Sequence, residues 1–143
     1  MNKINNLSAG LLASAMASIA LTGPSFAANV DAHSQIHKAD GITYACTGIA
    51  GERANPAWKA YAAKVEVDEH DGAYLGNEKL TVDNSAGKAV LTATCTGPWL
   101  VAKLAPGQYT VDAKVGKYQQ SARLDVPAKG QGAVILSFPD HVG

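Results

Sequence analysis

Apolar and polar residues alternate with a period of two along most of the chain, and this pattern predicts β-strands. It is clearest from Tyr109 to Val115 (YTVDAKV), where the apolar residues share one face and the polar residues the other. About seven such runs, separated by short segments rich in Gly, Pro, Asn and Asp, lie between residues 41 and 138. The pattern predicts an all-β fold consisting of a single β-sandwich, with a closed barrel as the alternative.

The strongest turn signal lies between the apolar runs 97–104 and 109–115. Pro106 presets φ for the first central position of a type II turn, and Gly107 accepts the positive φ of the second. We therefore expect a β-hairpin here. A second hairpin is predicted at residues 84–87, with Gly87 in a left-handed conformation.

One segment has a helical pattern instead. Asn55 followed by Pro56 is typical of a helix start, and Trp58 and Tyr61 begin an apolar stripe with spacing i, i+3. This predicts one short helix, Pro56 to Ala63, near the N-terminus of the sandwich.

Residues 1–27 fit a cleaved signal peptide. Lys3 precedes an uncharged apolar run from Leu7 to Leu21, and Ser25 and Ala27 are the small residues expected before the cleavage site. A membrane anchor is the alternative, but the run of about 15 residues is shorter than the roughly 20 that a spanning helix needs. We expect an exported protein, periplasmic or secreted, with a flexible leader at 28–40, the sandwich at 41–138 and a tail at 139–143.

The charge balance excludes several classes of partner. The chain has 12 basic and 12 acidic residues and no basic block. It therefore lacks the electrostatic signature of a nucleic-acid-binding protein and the polybasic segment that anionic membranes attract. No stable membrane insertion is expected once the signal peptide has been removed.

The two cysteines, Cys46 and Cys95, predict a structural disulfide, because an exported protein meets an oxidising compartment. Two unpaired buried thiols are the alternative. A redox-active pair is disfavoured by the absence of Cys-x-x-Cys spacing.

The sequence contains no Gly-x-Ser-x-Gly elbow and no Walker loop. His33 and His37 are spaced i, i+4, but Ser34 stands where a zincin has its glutamate. We predict no enzyme activity, no cofactor and no metal site. A metal site built from His33, His37 and His70 with Asp31 or Asp40 is the weaker alternative.

Three aromatic residues, Trp58, Trp99 and Tyr118, are the candidates for binding a ligand such as a carbohydrate. Trp99 follows Gly97-Pro98, which would hold its ring at a loop. Its alternative role is packing in the core beside the disulfide.

Four segments carry a resemblance to a known family: 72–76 (GAYLG), 80–83 (LTVD), 86–88 (AGK) and 104–113 (LAPGQYTVDA). Together they resemble bacterial carboxypeptidase regulatory-like domains of the transthyretin-like (prealbumin-like) β-sandwich group, over residues 64–138. The resemblance implies a non-catalytic sandwich that accompanies peptidases, receptors or surface proteins, or stands alone in the periplasm. It supplies no catalytic motif.

The sequence thus favours an exported, non-catalytic module acting in protein interaction or envelope structure, whose partner is another envelope protein. A carbohydrate- or small-ligand-binding module is the alternative. The oligomeric state is left open.

Overall fold

The predicted alternation of strands is found in a computed structural model of the chain, which describes residues 35–142. These residues form nine strands and two short 3₁₀ helices, Ala50–Ala54 and Pro56–Ala60. The strands are β1 (Ile36–Ala39), β2 (Ile42–Thr47), β3 (Ala63–Glu69), β4 (Glu78–Asn84), β5 (Ala89–Cys95), β6 (Trp99–Ala102), β7 (Gly107–Val115), β8 (Tyr118–Val126) and β9 (Gly132–Phe138).

The strands form two sheets that pack face to face. One sheet has five strands in the order β1-β2-β6-β3-β9, and the other has four in the order β5-β4-β7-β8. Neighbouring strands are antiparallel except for β3 and β9, which run parallel from Ala63 opposite Gly132 to Glu69 opposite Phe138. The all-β sandwich predicted from the sequence is therefore confirmed.

The main core lies between the two sheets. Alternate residues of β3 are buried, as the period-two pattern requires. The largest enclosed apolar side chains are those of Leu80, Leu100, Leu124 and Phe138. The Cys46–Cys95 disulfide joins β2 to β5, with the two Cα atoms 5.2 Å apart, and so links one sheet to the other. This confirms the predicted pairing.

The structure has more strands than the approximately seven predicted. Ile36–Ala39, which the sequence analysis placed in the flexible leader, forms β1 and pairs antiparallel with β2. Its four residues are mostly exposed and show no apolar alternation. This short edge strand therefore owes its conformation to backbone pairing with β2 rather than to burial of its own side chains.

The predicted helix Pro56–Ala63 was wrong. Asn55 does cap a helical turn at Pro56, since its Oδ1 accepts a hydrogen bond from the N–H of Ala57 at 3.0 Å. The turn is 3₁₀, however, and ends at Ala60. Tyr61 is extended (φ −88°, ψ 127°), because Ala63 already belongs to β3. Pairing with β6 and β9 outweighs the local helical preference.

The strongest turn signal does not form a hairpin. β6 pairs with β2 and β3, whereas β7 pairs with β4 and β8, so the segment around Pro106 carries the chain from one sheet to the other. The hydroxyl of Tyr109 donates a hydrogen bond to the carbonyl of Ala105 at 2.7 Å. This back-bond is the one that defines a tyrosine corner in β-sandwiches. Residues 84–87 do form the predicted hairpin, with Gly87 at φ 77°.

The segment after β9 is tied to the sandwich. The N–H of Asp71 donates to a carboxylate oxygen of Asp140 at 2.8 Å, and the N–H of Val142 donates to the carboxylate of Glu69 at 2.9 Å. The predicted signal peptide, residues 1–27, lies outside the described residues. Within residues 35–142, no helix is long and apolar enough to cross a membrane.

Candidate functional site

The segment from Gly48 to Ala62 lies across the outer face of the five-stranded sheet. Trp58 and Tyr61, which are 3% and 5% exposed, pack on Ala45 of β2 and Val101 of β6. These four side chains form a small apolar cluster separate from the main core. Trp58 is therefore a packing residue, as its i, i+3 spacing from Tyr61 suggests.

Polar side chains hold this segment in place. The indole Nε1 of Trp58 donates to Oε2 of Glu52 at 2.9 Å, and the side-chain amide of Asn55 donates to the same oxygen at 3.2 Å. Gln131 lies in the loop just before β9, and its Nε2 donates to the carbonyls of Trp58 and Tyr61, each at 2.9 Å. Hydrogen bonds therefore fix both 3₁₀ turns against the sheet.

Cations and aromatic rings meet beside this cluster. The guanidinium carbon of Arg53 lies 3.1 Å from the ring centroid of Tyr74 and 5.9 Å from that of Trp99. The ammonium of Lys64 lies 3.5 Å from the Trp99 centroid and 3.3 Å from a carboxylate oxygen of Glu66. Such contacts hold cations that would otherwise be mobile on the surface.

A cleft of about 220 Å³ opens between the 3₁₀ segment and the sheet. It is lined by Arg53, Ala54, Asn55, Trp58, Lys59, Lys64, Trp99 and Gln131. Three of these residues are cationic and none is acidic. The cleft therefore combines positive charge with aromatic and amide groups.

Two larger depressions have fewer features of a binding site. One, of about 510 Å³, lies between the β1–β2 turn and the β4–β5 hairpin, beside Asp40, Ile42 and Lys88. The other, of about 360 Å³, lies along the β4–β5 hairpin and β7, beside Tyr109 and Arg123. Neither depression contains a cation held between aromatic rings. We therefore consider the cleft the better candidate, although it is smaller.

The outer faces of the two sheets differ in polarity. Four of the five large apolar side chains that are exposed among the described residues belong to or adjoin the five-stranded sheet: Ile36, Ile49, Tyr74 and Ile135. The outer face of the four-stranded sheet is polar, formed by residues such as Lys79, Thr81, Thr92, Thr94, Thr110, Asp112, Lys114, Ser121 and Arg123.

The predicted aromatic residues occupy different places. Trp58 and Trp99 line the same cleft, whereas Tyr118 begins β8 in the other sheet. Trp99 lies neither in a loop nor in the core: it is the first residue of β6 and is partly exposed on the outer face. A Cβ on Gly48 would lie 2.6 Å from its Cγ, so the Gly48 backbone packs directly on the indole.

One titratable group is strongly perturbed. Glu78 is fully buried at the start of β4, and neither carboxylate oxygen has a hydrogen-bond partner within the described residues. Burial raises its pKa to about 8. Burial also raises the pKa of Tyr61. Because the carboxyl of Glu78 is enclosed, it is out of reach of a substrate in solution.

The described part of the chain contains no group of three or more His, Cys, Asp or Glu residues arranged to hold a metal ion. His37 stacks on Tyr44 across the β1–β2 pair, with ring centroids 5.2 Å apart. His33 and Asp31, which the alternative metal site would use, lie outside the described residues.

The sequence analysis missed Arg53 and Lys64, the two cations that contact Trp99. The outward position of Lys64 could be predicted from the strand pattern, because Lys64 alternates with the buried Val65 and Val67 of β3. Arg53 has no comparable signal, since it lies in a short 3₁₀ helix and reaches Tyr74 from a different part of the chain.

A scan of the chain against models of known protein families finds no match. A search of the curated proteins likewise finds no protein similar to it.

Proposed function

We propose that this chain is an exported, non-catalytic β-sandwich module that binds another envelope protein through the outer face of its five-stranded sheet. The observation that carries the proposal is the exposure of large apolar side chains on both edge strands of that sheet, where Ile135 of β9 is 58% and Ile36 of β1 53% exposed. Large exposed apolar side chains on one side of the molecule supply apolar area that a protein partner can bury.

Further features support this assignment. A disulfide between the two sheets is stable in an oxidising compartment such as the periplasm, which agrees with an N-terminal signal peptide. The sandwich fold and the tyrosine corner around Pro106 are compatible with a carboxypeptidase regulatory-like domain. The enclosure of Glu78, the one strongly perturbed carboxyl among residues 35–142, favours a non-catalytic role.

Ligand binding is the second candidate function, favoured by the cleft beside Trp99. A sugar would need an open ring face on which to stack. Trp58 is enclosed, and Trp99 already contacts the Gly48 backbone and the Lys64 ammonium. The cleft therefore suits recognition by charge better than stacking on an aromatic platform.

Site-specific photo-crosslinking in the cells that make the protein tests the proposed binding face. A benzoylphenylalanine placed at Ile135 would lie on this face, and the same residue at Thr94 would lie on the polar face of the other sheet as the matched control. We expect one crosslinked partner from position 135 and none from position 94.

Mass spectrometry would identify that partner, and its affinity for the purified protein would then be measured. An Ile135→Glu variant should bind about tenfold more weakly, the effect expected of an apolar contact residue at an interface. Equal crosslinking from both positions, or none from position 135, would contradict the proposal. Binding of a glycan in place of a protein would favour the second candidate.

A further inference from the structure

The guanidinium of Arg53 is held by two contacts beside the outer face of the five-stranded sheet. Its Nε donates to the carbonyl of Gly48 at 2.7 Å, and its guanidinium carbon lies over the ring of Tyr74, 3.1 Å from the centroid. Within residues 35–142, this is the one hydrogen bond that the guanidinium makes, and it has no carboxylate partner. The two terminal nitrogens are therefore available as a fixed pair of donors.

A guanidinium held in this way is prepared to bind a carboxylate. Two parallel N–H donors match the two oxygens of a carboxylate, and little conformational entropy is lost because the side chain is already fixed. Lys59 and Lys64 also line the cleft and add positive charge. The nearest acidic groups have other contacts: Glu52 accepts from Trp58 and Asn55, and Glu66 pairs with Lys64.

The size of the cleft limits its occupant. At about 220 Å³ it lies below the range of roughly 300–1,000 Å³ that is usual for whole small-molecule ligands. It suits one side chain. The exposed side chains of Ile49, Tyr74 and Ile135 lie on or beside the same sheet, where apolar residues flanking that side chain would find contacts.

We propose that the cleft binds the carboxylate of a glutamate or aspartate side chain in a peptide segment of the partner, with Arg53 as the bidentate donor. This inference rests on the proposed function and names the chemistry that its binding face recognises. Apolar residues beside the acidic one would contact the exposed isoleucines.

The probe is the peptide Ac-Leu-Glu-Glu-Leu-NH2, titrated into ¹⁵N-labelled protein comprising residues 28–143 and followed by NMR. We expect shifts of the Arg53 Nε–H and Trp99 indole signals, and weaker binding as salt is raised. The Ac-Leu-Gln-Gln-Leu-NH2 peptide should bind at least about tenfold more weakly, because it lacks the charge that strengthens these hydrogen bonds.

The chain offers a matched control for the arginine. Arg123 lies on the outer face of the other sheet, exposed and paired with Asp125 at 3.2 Å. Arg53→Gln should weaken binding of the glutamate peptide about tenfold, whereas Arg123→Gln should leave it unchanged. Lys59→Gln provides a second test, because Lys59 is exposed and its substitution leaves the packing intact. This variant should weaken binding of the glutamate peptide less than Arg53→Gln does.

Three results would overturn the inference. They are equal binding of the two peptides, unchanged binding by both Arg53→Gln and Lys59→Gln, and tighter binding of inorganic phosphate than of the glutamate peptide at the same sites. If the peptide fails to bind while position 135 still crosslinks a partner, the inference about the cleft is wrong and the proposed function stands. If the peptide binds and no partner is crosslinked, the proposed function fails instead.

Discussion

Glu78 lies directly opposite Cys95 in the antiparallel register of β4 and β5, with its side chain enclosed in the sandwich. An acidic residue thus stands beside the disulfide that joins the two sheets. Burial is the dominant influence on this carboxyl and raises its pKa to about 8. The folded protein therefore holds this carboxyl in its neutral form at pH 7.

The first prediction concerns the stability of the fold against pH. Because the folded-state pKa of Glu78 exceeds its ordinary value of 4.5, its contribution is fully present below pH 4.5 and is lost as pH rises toward 8. By linkage, a shift of this size amounts to roughly 5 kcal/mol over the whole range. Glu78→Gln should remove this contribution and be more stable than the wild type at pH 8.

Urea unfolding of the wild type and Glu78→Gln at pH 4.5, 6 and 8.5 would measure the effect. Other titrating groups affect both proteins equally, so the difference between the two free energies of unfolding isolates Glu78. If that difference is the same at all three pH values, Glu78 is not titrating in the folded protein as described.

The second prediction compares two glycines with positive φ. A Cβ on Gly41 (φ 82°) would meet nothing within 4 Å, whereas one on Gly48 (φ 94°) would lie 2.6 Å from Cγ of Trp99. Both alanine variants carry the cost of a left-handed L-residue, about 1–2 kcal/mol. Gly48→Ala should lose a further 1–3 kcal/mol, roughly, because it displaces the indole.

Thermal unfolding would measure both losses, and tryptophan fluorescence should change in Gly48→Ala alone. Equal destabilisation of the two variants would mean that the Gly48 backbone is not packed against Trp99.

The third prediction concerns the cluster beneath the 3₁₀ segment. Trp58→Ala should cost about 3–5 kcal/mol, the usual loss when a large buried aromatic residue is truncated. Trp58→Phe keeps most of the packing but removes the indole N–H that donates to Glu52. This variant should therefore lose about 1–3 kcal/mol of stability.

Because the cluster is separate from the main core, the folded Trp58→Phe protein should keep its NMR signals in β4, β5, β7 and β8. Widespread shifts in the four-stranded sheet would contradict this separation.

The fourth prediction concerns the disulfide. It closes a loop with a sequence separation of 49, for which the chain-entropy model gives about 4 kcal/mol. The Cys46→Ala/Cys95→Ala protein should lose about that much stability on denaturant unfolding. The unreduced wild type should show no titratable thiol when denatured, and two reactive thiols would refute the pairing.

The sequence predicts individual strands well because burial on one face imposes an alternation that each strand carries by itself. The β4–β5 hairpin is equally local: Asn84 accepts hydrogen bonds from the N–H groups of Ala86 and Lys88, and Gly87 takes the positive φ. The information for such elements lies within a few consecutive residues.

The pairing of strands that are distant in sequence cannot be predicted from such local patterns. A turn containing Pro106 and Gly107 is compatible both with a hairpin and with a crossing between sheets, and the partners of β6 and β7 decide between them. β1 similarly exists because β2 offers a free edge. The helical turn at Pro56 is short because Ala63 is needed in the five-stranded sheet.

The candidate site was predictable only in part. Tryptophans attract notice as ligand-binding residues, and two of the three predicted aromatic residues do line the cleft. The contact between Arg53 and Tyr74 joins the 3₁₀ helix Ala50–Ala54 to the loop after β3, and no periodicity relates these positions. Glu78 shares the inward face of β4 with the buried Leu80 and Val82, but its charge suggests a solvent-facing position.

The parallel pairing of β3 with β9 has a consequence for the order in which the molecule is built. β9 is the last strand among the described residues, and it lies between β3 and the neighbouring β8 of the other sheet. The five-stranded sheet is therefore incomplete until Gly132–Phe138 has joined β3. Ala63 and Gly132, which pair, are far apart in sequence, so completing this sheet requires a long-range contact of the kind that slows folding.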